Sequence, residues 1–269
     1  FDHLPEVERP EGLPAGVSPP NRAVPLVGVI RNRRSHRNVD AEPDWSGRAT
    51  LIIETPMKRS EIEPILRRFA QAQVDFLVVD GGDGTVRDVL TSGAGAFGDN
   101  WPPLIILPSG KTNALAIDLG LKGGWNLDDA ISAAHAGKLQ VRRPLVISMR
   151  DKPGAQVHGF VFGAGAYTAA IGLGQLAHRK GAFDALGVGM TAVWSVLQAI
   201  FGAPGNLWKR GTPMRLRLPD GKDLAHSGRG PADERYLVFG STLSRFPAGL
   251  QPFRGVQGGL RFAVMDNAR

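Results

Sequence analysis

Residues 74–88 read VDFLVVDGGDGTVRD, an apolar segment that leads into three glycines and then into a helical pattern. Glycine lets the backbone approach an anion closely and adopt positive φ, and the N–H groups of a helix N-terminus add a partial positive charge. Residues 81–85 therefore predict a phosphate site. Asp83 suits such a site only if the site handles a nucleotide with Mg²⁺ or deprotonates a hydroxyl. The alternative is a strand-to-helix turn in which Asp83 is a helix cap.

The chain has 269 residues, no cysteine and a formal net charge of +7. This length can bury a large core in one or two domains, and we expect two. The absence of cysteine excludes disulfides and thiolate metal sites and suits a cytoplasmic protein. No apolar stretch reaches membrane-spanning length, and the positive charge favours anionic partners such as nucleotides or acidic lipid surfaces.

The N-terminal half alternates short apolar strands with helices. We predict strands at residues 26–30, 50–54, 76–80 and 104–107, and helices at residues 61–73, 112–119 and 127–136. Ser60 is the expected N-cap of the first helix, with Glu63 at the capping-box position. The alternation predicts a doubly wound parallel α/β domain over residues 24–140, with ligands at the carboxyl edge of the strands. Residues 1–23 are rich in proline and predict a flexible or surface-hugging N-terminal arm.

The C-terminal half has a different pattern. We predict strands at residues 141–149, 157–162, 214–218, 236–240 and 260–265, joined by turns rich in glycine, proline and aspartate. They predict a separate, largely antiparallel β domain of sandwich type over residues 141–269. One helix is expected at residues 182–201, where core packing is the usual role and membrane contact is the alternative.

Two more polar turns follow predicted strands. Residues 108–113 read PSGKTN and residues 31–37 read RNRRSHR. A P-loop is rejected for the first of them because Ile105 stands where that motif needs glycine. Lys111 either meets a phosphate as a point charge or is solvated. Because parallel strands end at the same edge of a sheet, we expect these turns to converge with residues 81–85.

Other chemistries find no support in the sequence. The basic residues lack the interleaved aromatics that base stacking needs, so no nucleic-acid partner is expected. The six histidines form no ligand-type pair, and the Gly-x-Ser-x-Gly motif of hydrolases is absent.

The motifs resemble the diacylglycerol kinase catalytic-domain family, which includes bacterial diacylglycerol kinases and sphingosine kinases. Residues 81–85 match the family's GGDGT, and residues 108–120 resemble its P-x-G-T-x-N…A…LG segment. Asn32 and Ser35 stand where the family has N-P-x-S-G, and Thr55 where it has a threonine after the second strand. NAD kinases also carry GGDGT, but the second turn favours the lipid kinases. The likeness covers roughly residues 24–265.

The resemblance implies ATP in the cleft between the two domains, with its phosphates over the glycine turns and Mg²⁺ as cofactor. It also implies transfer of the γ-phosphoryl group to a hydroxyl of diacylglycerol or a related long-chain lipid. The expected place is the cytoplasm, peripheral to the inner membrane at an anionic surface. The nucleotide-binding residues it implies are Asn32, Arg33, Ser35, Thr55, Gly81, Gly82, Asp83, Gly84, Thr85, Ser109, Gly110, Lys111 and Asn113.

The chain departs from the family pattern at several positions. Lys111 replaces a threonine, and Arg87-Asp88 replaces Asn-Glu. Gln257 stands where the family has the acid that accepts the proton, and Tyr167 replaces an acidic residue that would support a structural Mg²⁺ site.

These departures lead us to expect that Asp83 or Asp88 takes the proton, or that no residue does. A catalytically silent nucleotide- or lipid-binding relative remains an alternative, as does an NAD kinase. We also expect a missing C-terminal segment, since relatives send one back to the first domain.

Overall fold

The computed structural model describes residues 4–7, 22–38, 49–168, 211–228 and 230–266. The helix predicted at residues 182–201 lies outside them. The chain divides into two compact units, one of Phe1–Phe160 with Leu243–Gln251 and the other of Val161–Thr242 with Pro252–Arg269. The first unit therefore extends past the boundary expected at residue 140.

The first unit contains an α/β domain and a short hairpin. Its elements are β1 (Leu26–Arg31), β2 (Thr50–Glu54), α1 (Ile62–Gln71), β3 (Phe76–Gly81), α2 (Asp83–Phe97), β4 (Leu104–Pro108), α3 (Ala114–Leu119), α4 (Leu127–His135), β5 (Leu145–Ser148) and β6 (Gln156–Gly159). Strands β1 to β4 form a parallel sheet in the order β2-β1-β3-β4. All four match their predicted bounds to within one residue.

Alternate residues of β1 face opposite helices, as expected for a strand in a sheet covered on both sides. Val27 and Val29 are fully buried in a cluster with Leu127 and Ile131 of α4. Gly28 points the other way, where a Cβ would come within 2.6 Å of the ring of Phe69 in α1. Helices therefore cover both faces of the sheet, which confirms the predicted parallel α/β architecture.

The hairpin of β5 and β6 explains why the first unit is longer than expected. The predicted strand at 141–149 is reduced to β5, and the one at 157–162 is divided at Phe160 into β6 and a strand of the second unit. The backbone N–H of His158 in β6 donates to the hydroxyl of Thr91 in α2 over 3.1 Å. At the start of the chain, Glu6 pairs with Ala155 in an isolated β-bridge, so this part of the predicted arm lies along the hairpin.

Two predicted helix starts need correction. The first helical segment begins with a 3₁₀ turn at Arg59–Glu61, so Ser60 lies inside it and is not the N-cap. The acid that binds the backbone before this turn is Glu61 and not the predicted Glu63, because the carboxylate of Glu61 accepts the N–H of Met57 over 2.7 Å. Helix α3 begins at Ala114, two residues later than predicted, because Asn113 adopts the left-handed conformation with φ 51°.

The second unit is antiparallel, as predicted. Its elements are β7 (Val161–Gly165), β8 (Thr212–Pro213), β9 (Glu234–Arg235), β10 (Leu237–Ser241) and β11 (Arg261–Met265). Three of the strands form a sheet in the order β11-β10-β7, and β8 pairs with β9. The strand predicted at 214–218 is wrong, since that segment pairs only through an isolated bridge between Arg217 and Asp223.

A buried ion pair connects separate segments within the second unit. Arg235 and Asp266 have side chains that are only 6% and 8% exposed, and the guanidinium also donates to the carbonyl of Leu224 over 2.6 Å. Hydrogen bonds from Arg235, the largest cause, and from the backbone N–H of Ser227 lower the pKa of Asp266 from 3.8 to about 2. Across both units, no helix in the described part of the chain is long and apolar enough to cross a membrane.

Candidate functional site

Four polar segments lie at the carboxyl edge of the parallel sheet. Residue 55 follows β2, residues 32–38 follow β1, residues 82–85 follow β3 and residues 109–113 follow β4. The strand order β2-β1-β3-β4 brings them together in the same sequence along the edge. The convergence predicted for the three turns is therefore present in the fold.

The two glycine turns touch through their backbones. A Cβ on Gly110 would lie 2.5 Å from the Cα of Gly82, and a Cβ on Gly82 would lie 3.0 Å from the Cα of Gly110. A Cβ on Gly81 would collide with Thr85 at 2.5 Å. None of these glycines has positive φ, so the expectation that they provide left-handed conformations is wrong. Gly81, Gly82 and Gly110 instead allow parts of the chain to pack closely against one another.

Asp83 links the two turns. It is the first residue of α2, and its carboxylate accepts the backbone N–H of Ala114 over 3.0 Å and of Leu115 over 3.3 Å. These are N–H groups of the first turn of α3, which have no partner within their own helix. Asp83 therefore caps α3, not the helix that it begins.

The side chain of Asn113 closes the second turn on itself. Its amide oxygen accepts the N–H of Gly110 over 2.9 Å, and its amide nitrogen donates to the carbonyl of the same residue over 2.7 Å. Asn32 connects the first two loops, because its amide donates to the hydroxyl of Thr85 over 2.9 Å. Both asparagines thus hold the turns in shape.

The remaining residues implied for the nucleotide differ in exposure. Ser35 is buried, and its N–H donates to the carbonyl of Asn32 over 3.0 Å. Arg33, Thr55 and Lys111 are exposed on three different loops of the edge. Two of these exposed residues, Arg33 and Lys111, are cations on the loops that carry the glycine turns and the Asn32 contact.

Asp88, the second predicted acid, lies elsewhere on α2. Five residues along a helix correspond to a rotation of about 140°, so Asp83 and Asp88 point in different directions. The carboxylate of Asp88 lies 3.3 Å from the Nε of Arg59 and 2.9 Å from Nη2 of Arg87. Its negative charge is thus shared with two arginines.

Asp80 belongs to the same edge, although the sequence motifs did not identify it as a site residue. It is 4% exposed, and one carboxylate oxygen accepts both the hydroxyl of Ser109 and the amide of Asn38, the latter over 2.9 Å. The other oxygen lies 3.6 Å from the Nε of Arg31. The sequence did offer one signal, an aspartate at the end of an apolar strand. Aspartate is almost never buried without partners, so its position there indicates that other groups bind it.

Asp118 in α3 was also missed. Its side chain is fully buried, and it accepts hydrogen bonds from Arg142 over 2.5 Å and from the N–H groups of Ser244 and Arg245 over 2.6 and 2.8 Å. Burial raises the pKa of its carboxyl, but these hydrogen bonds outweigh that effect and hold the pKa below 3.8. Residues 244–245 are distant in sequence, so no local pattern indicates this contact.

A cavity of about 370 Å³ adjoins Asp80 and Ser109. The connection between α3 and α4 completes its wall, and the buried indole N–H of Trp125 in that wall has no hydrogen-bond partner. Pockets for small molecules typically enclose about 300–1,000 Å³. The cavity is therefore large enough for a small ligand.

The second unit holds the two other departures from the family pattern. Gln257 lies in an exposed turn at residues 254–260. The ring of Tyr167 packs over Gly163 and lies 5.4 Å from the ring of Phe239. Among the residues that the structure describes, no group of three or more acidic or histidine side chains could hold a metal ion.

Comparison with known proteins connects this geometry to a family. Residues 34–143, less than half of the chain, match the family model of the diacylglycerol kinase catalytic domain. The match spans both glycine turns, and it confirms the resemblance predicted from the motifs. No curated protein matches the chain.

Two solved structures from Bacillus anthracis str. Sterne have a similar fold. One, described as a candidate diacylglycerol kinase, is 18% identical with a TM-score of 0.52 and covers 90% of this chain and 75% of its own. The other, described as a diacylglycerol kinase, is 16% identical with a TM-score of 0.56, and the shares are 91% and 75%. These likenesses show a shared fold, which in this chain consists of a parallel α/β part and an antiparallel part. Residues 34–143 resemble the diacylglycerol kinase catalytic domain.

Proposed function

We propose that this protein is an ATP-dependent kinase that phosphorylates a hydroxyl of diacylglycerol or a related long-chain lipid. Gly84 carries the proposal. It is exposed, it has no positive φ, and a Cβ placed on it would meet no atom within 4 Å. Close packing explains why glycine stands at positions 81, 82 and 110. It does not explain the glycine at position 84. The space beside it suits the close approach of a phosphate to the backbone.

The charges around the turn support a phosphate ligand. Gly84 lies in the first turn of α2, a helix of 15 residues whose N-cap makes no side-chain hydrogen bond. The N–H groups of Thr85 and Val86 donate to the carbonyl of Gly82, so those of Asp83 and Gly84 are the ones that remain for an anion. Arg33 and Lys111 flank the turn with positive charge. Asp83, the acid within this turn, directs its carboxylate at the N-terminus of α3. Its charge is therefore already compensated by N–H groups.

In the proposed reaction, the oxygen of the lipid hydroxyl forms a bond to the γ-phosphorus while the bond to the β–γ bridging oxygen of ATP breaks. ADP leaves with the electron pair, and the hydroxyl proton is released. Asp83 keeps a lone pair on each oxygen and is our first choice to take that proton, since Asp88 is held by two arginines. A loose transition state also permits the alternative that no residue takes it.

Magnesium fits this proposal without a dedicated protein cage. Mg²⁺ in such sites is usually held by one or two carboxylates together with the phosphates of the substrate. Asp83 is the carboxylate of the turn that could contribute, and a bound Mg²⁺ would neutralise charge on the transferring phosphoryl group. The net charge of +7 supports action at an anionic membrane surface, which we place at the inner face of the membrane.

The proposal is tested by measuring MgATP binding calorimetrically for Gly84→Ala and for Gly123→Ala. Gly123 is an equally open glycine in the α3–α4 connection, so it is the matched control. We expect Gly84→Ala to weaken MgATP binding by about tenfold or more while its unfolding curve and that of the control stay close to wild type. Equal affinity in wild type and Gly84→Ala would overturn the phosphate site.

Transfer is tested with radiolabelled ATP and vesicles of mixed lipids that include diacylglycerol. Labelled lipid supports the kinase, and labelled NAD in a parallel reaction would support an NAD kinase. MgATP binding without any labelled product would favour a silent relative. Gln257 motivates that alternative, because an amide cannot act as a general base.

A further inference from the structure

We propose that Asp80 is a positioning residue that locks the loops after β1, β3 and β4 into one rigid edge. The inference deepens the proposed function and rests on it, because these loops carry the residues assigned to the nucleotide. Asp80 lies in the wall of the cavity but is only 4% exposed, and its carboxylate is held by protein groups, so it acts through its neighbours.

The contacts of Asp80 reach two loops that are distant in sequence. Ser109 belongs to the second glycine turn and Asn38 to the loop after β1, and both donate to the same carboxylate oxygen. The amide of Asn38 also donates to the carbonyl of Asn32 over 3.1 Å. One acceptor therefore joins the turn after β4 to the loop after β1.

Backbone hydrogen bonds complete this junction. The N–H of Asn32 donates to the carbonyl of Asp80 over 2.9 Å, and the N–H of Arg37 donates to the carbonyl of Ser109 over 3.0 Å. The N–H of Ser109 donates to the carbonyl of Gly81 over 3.2 Å. Each loop is thus bonded to another, and the carboxylate of Asp80 lies at their common point.

The chemistry of the position requires an acceptor. A buried carboxylate is costly, and an apolar residue in its place would suit an interior strand better. A carboxylate accepts hydrogen bonds only, so it can hold the Ser109 hydroxyl and the Asn38 amide at once beside the positive charge of Arg31. Asparagine has the same shape, but it carries no charge and its –NH₂ group must face either the Ser109 and Asn38 donors or the guanidinium of Arg31.

This arrangement has a consequence for ligand binding. Displacement of a positioned group by about 1 Å can cost about 10²-fold in rate, and mutation of a residue that orients a metal ligand through a hydrogen bond typically costs about 10–100-fold in metal affinity or activity. We therefore expect Asp80→Asn to raise the dissociation constant for MgATP by at least about tenfold. Ser109→Ala should produce a smaller rise, and the double variant a smaller effect than the product of the two, because both remove the same link.

A second readout does not depend on any ligand. Amide hydrogen exchange of the segments at residues 32–38 and 109–113 should accelerate together in Asp80→Asn, because the charged acceptor that both segments share is lost. The matched control is Asp266→Asn in the second unit, which also removes a buried carboxylate paired with an arginine. It should lower the melting temperature while leaving both segments and MgATP affinity as in wild type.

The outcomes separate this inference from the proposed function. If wild type binds no MgATP, the proposed function fails and hydrogen exchange alone decides the role of Asp80. If wild type binds MgATP but Asp80→Asn shows unchanged affinity and unchanged exchange, Asp80 is only a buried structural charge and the inference is wrong. If Asp80→Asn fails to fold, Ser109→Ala and its exchange pattern provide the decision, since that variant removes one hydroxyl only.

Discussion

The carboxylate of Asp83 accepts the backbone N–H of Ala114 over 3.0 Å, although the two residues are 31 positions apart. The acid in the middle of the glycine-rich turn thus caps the helix that follows the second turn. A cap was the alternative interpretation of Asp83, but the helix expected to receive it was the one that Asp83 begins. The neighbouring strands β3 and β4 bring α3 within reach, which explains the difference.

We predict that Asp83→Ala lowers the free energy of unfolding by about 1 kcal/mol through loss of this cap, and that Asp83→Asn costs less because its amide oxygen can still accept one N–H. Chemical denaturation followed by circular dichroism measures both. Asn126→Ala is the control, since it removes the N-cap of α4, where the Asn126 oxygen accepts the N–H of Asp129 over 2.9 Å. It should be destabilised to a similar extent. Wild-type stability of Asp83→Ala would contradict the cap.

Gly110→Ala should be destabilised by about 1–3 kcal/mol, because its methyl group would lie 2.5 Å from the backbone of Gly82 and the two turns must separate. Gly84→Ala should change stability by no more than about 0.5 kcal/mol, because its methyl group meets no atom. Thermal melting of the two variants side by side is the measurement. Equal melting temperatures would show that the backbone contact between the turns is not tight.

Asp118→Ala should be destabilised by about 3–5 kcal/mol, because it leaves the charge of Arg142 and the N–H groups of Ser244 and Arg245 without their acceptor. Arg142→Met should cost less, since the side chain of Arg142 is 30% exposed and two backbone donors remain for Asp118. Amide exchange in residues 243–251 should accelerate in Asp118→Ala. Unchanged exchange there would mean that other contacts hold this segment.

Acid should destabilise the second unit through Asp266. Its pKa is about 2 in the folded protein and 3.8 as the ordinary value, so the unfolded chain binds the proton first as the pH falls. The contribution to stability is therefore complete above pH 3.8 and is lost progressively as the pH falls towards 2. Melting temperatures measured from pH 5 to about 2 should fall less steeply for Asp266→Asn than for wild type. Parallel slopes for the two proteins would contradict this role.

Local patterns were sufficient for much of the first unit. The strands of the parallel sheet follow from short apolar runs, and α1 follows from apolar residues at helical spacing, which buries Ile62, Ile65, Leu66 and Phe69. The apolar pattern was insufficient where a single residue determines the end of a helix or strand. Asn113 delays α3 by adopting a left-handed conformation, and Phe160 divides one predicted strand into two that belong to different units.

The candidate site was predictable in its loops but not in its contacts. GGDGT and the turn at residues 108–113 identified the correct edge of the sheet, because chain direction alone places the ends of parallel strands together. The partners of Asp80, Asp83 and Asp118 were not predictable, because they lie 24 or more residues away in the sequence.

The sequence by itself therefore determined which segments form strands and helices, where the polar loops fall and which family they resemble, since these follow from composition and spacing. Only the tertiary structure decided what the loop residues do. Gly82 and Gly110 allow two backbones to touch, Asp83 caps a distant helix, and Gly84 alone among the turn glycines keeps open space beside it. These roles depend on distances between elements, which are set by how the sheet brings its strands side by side.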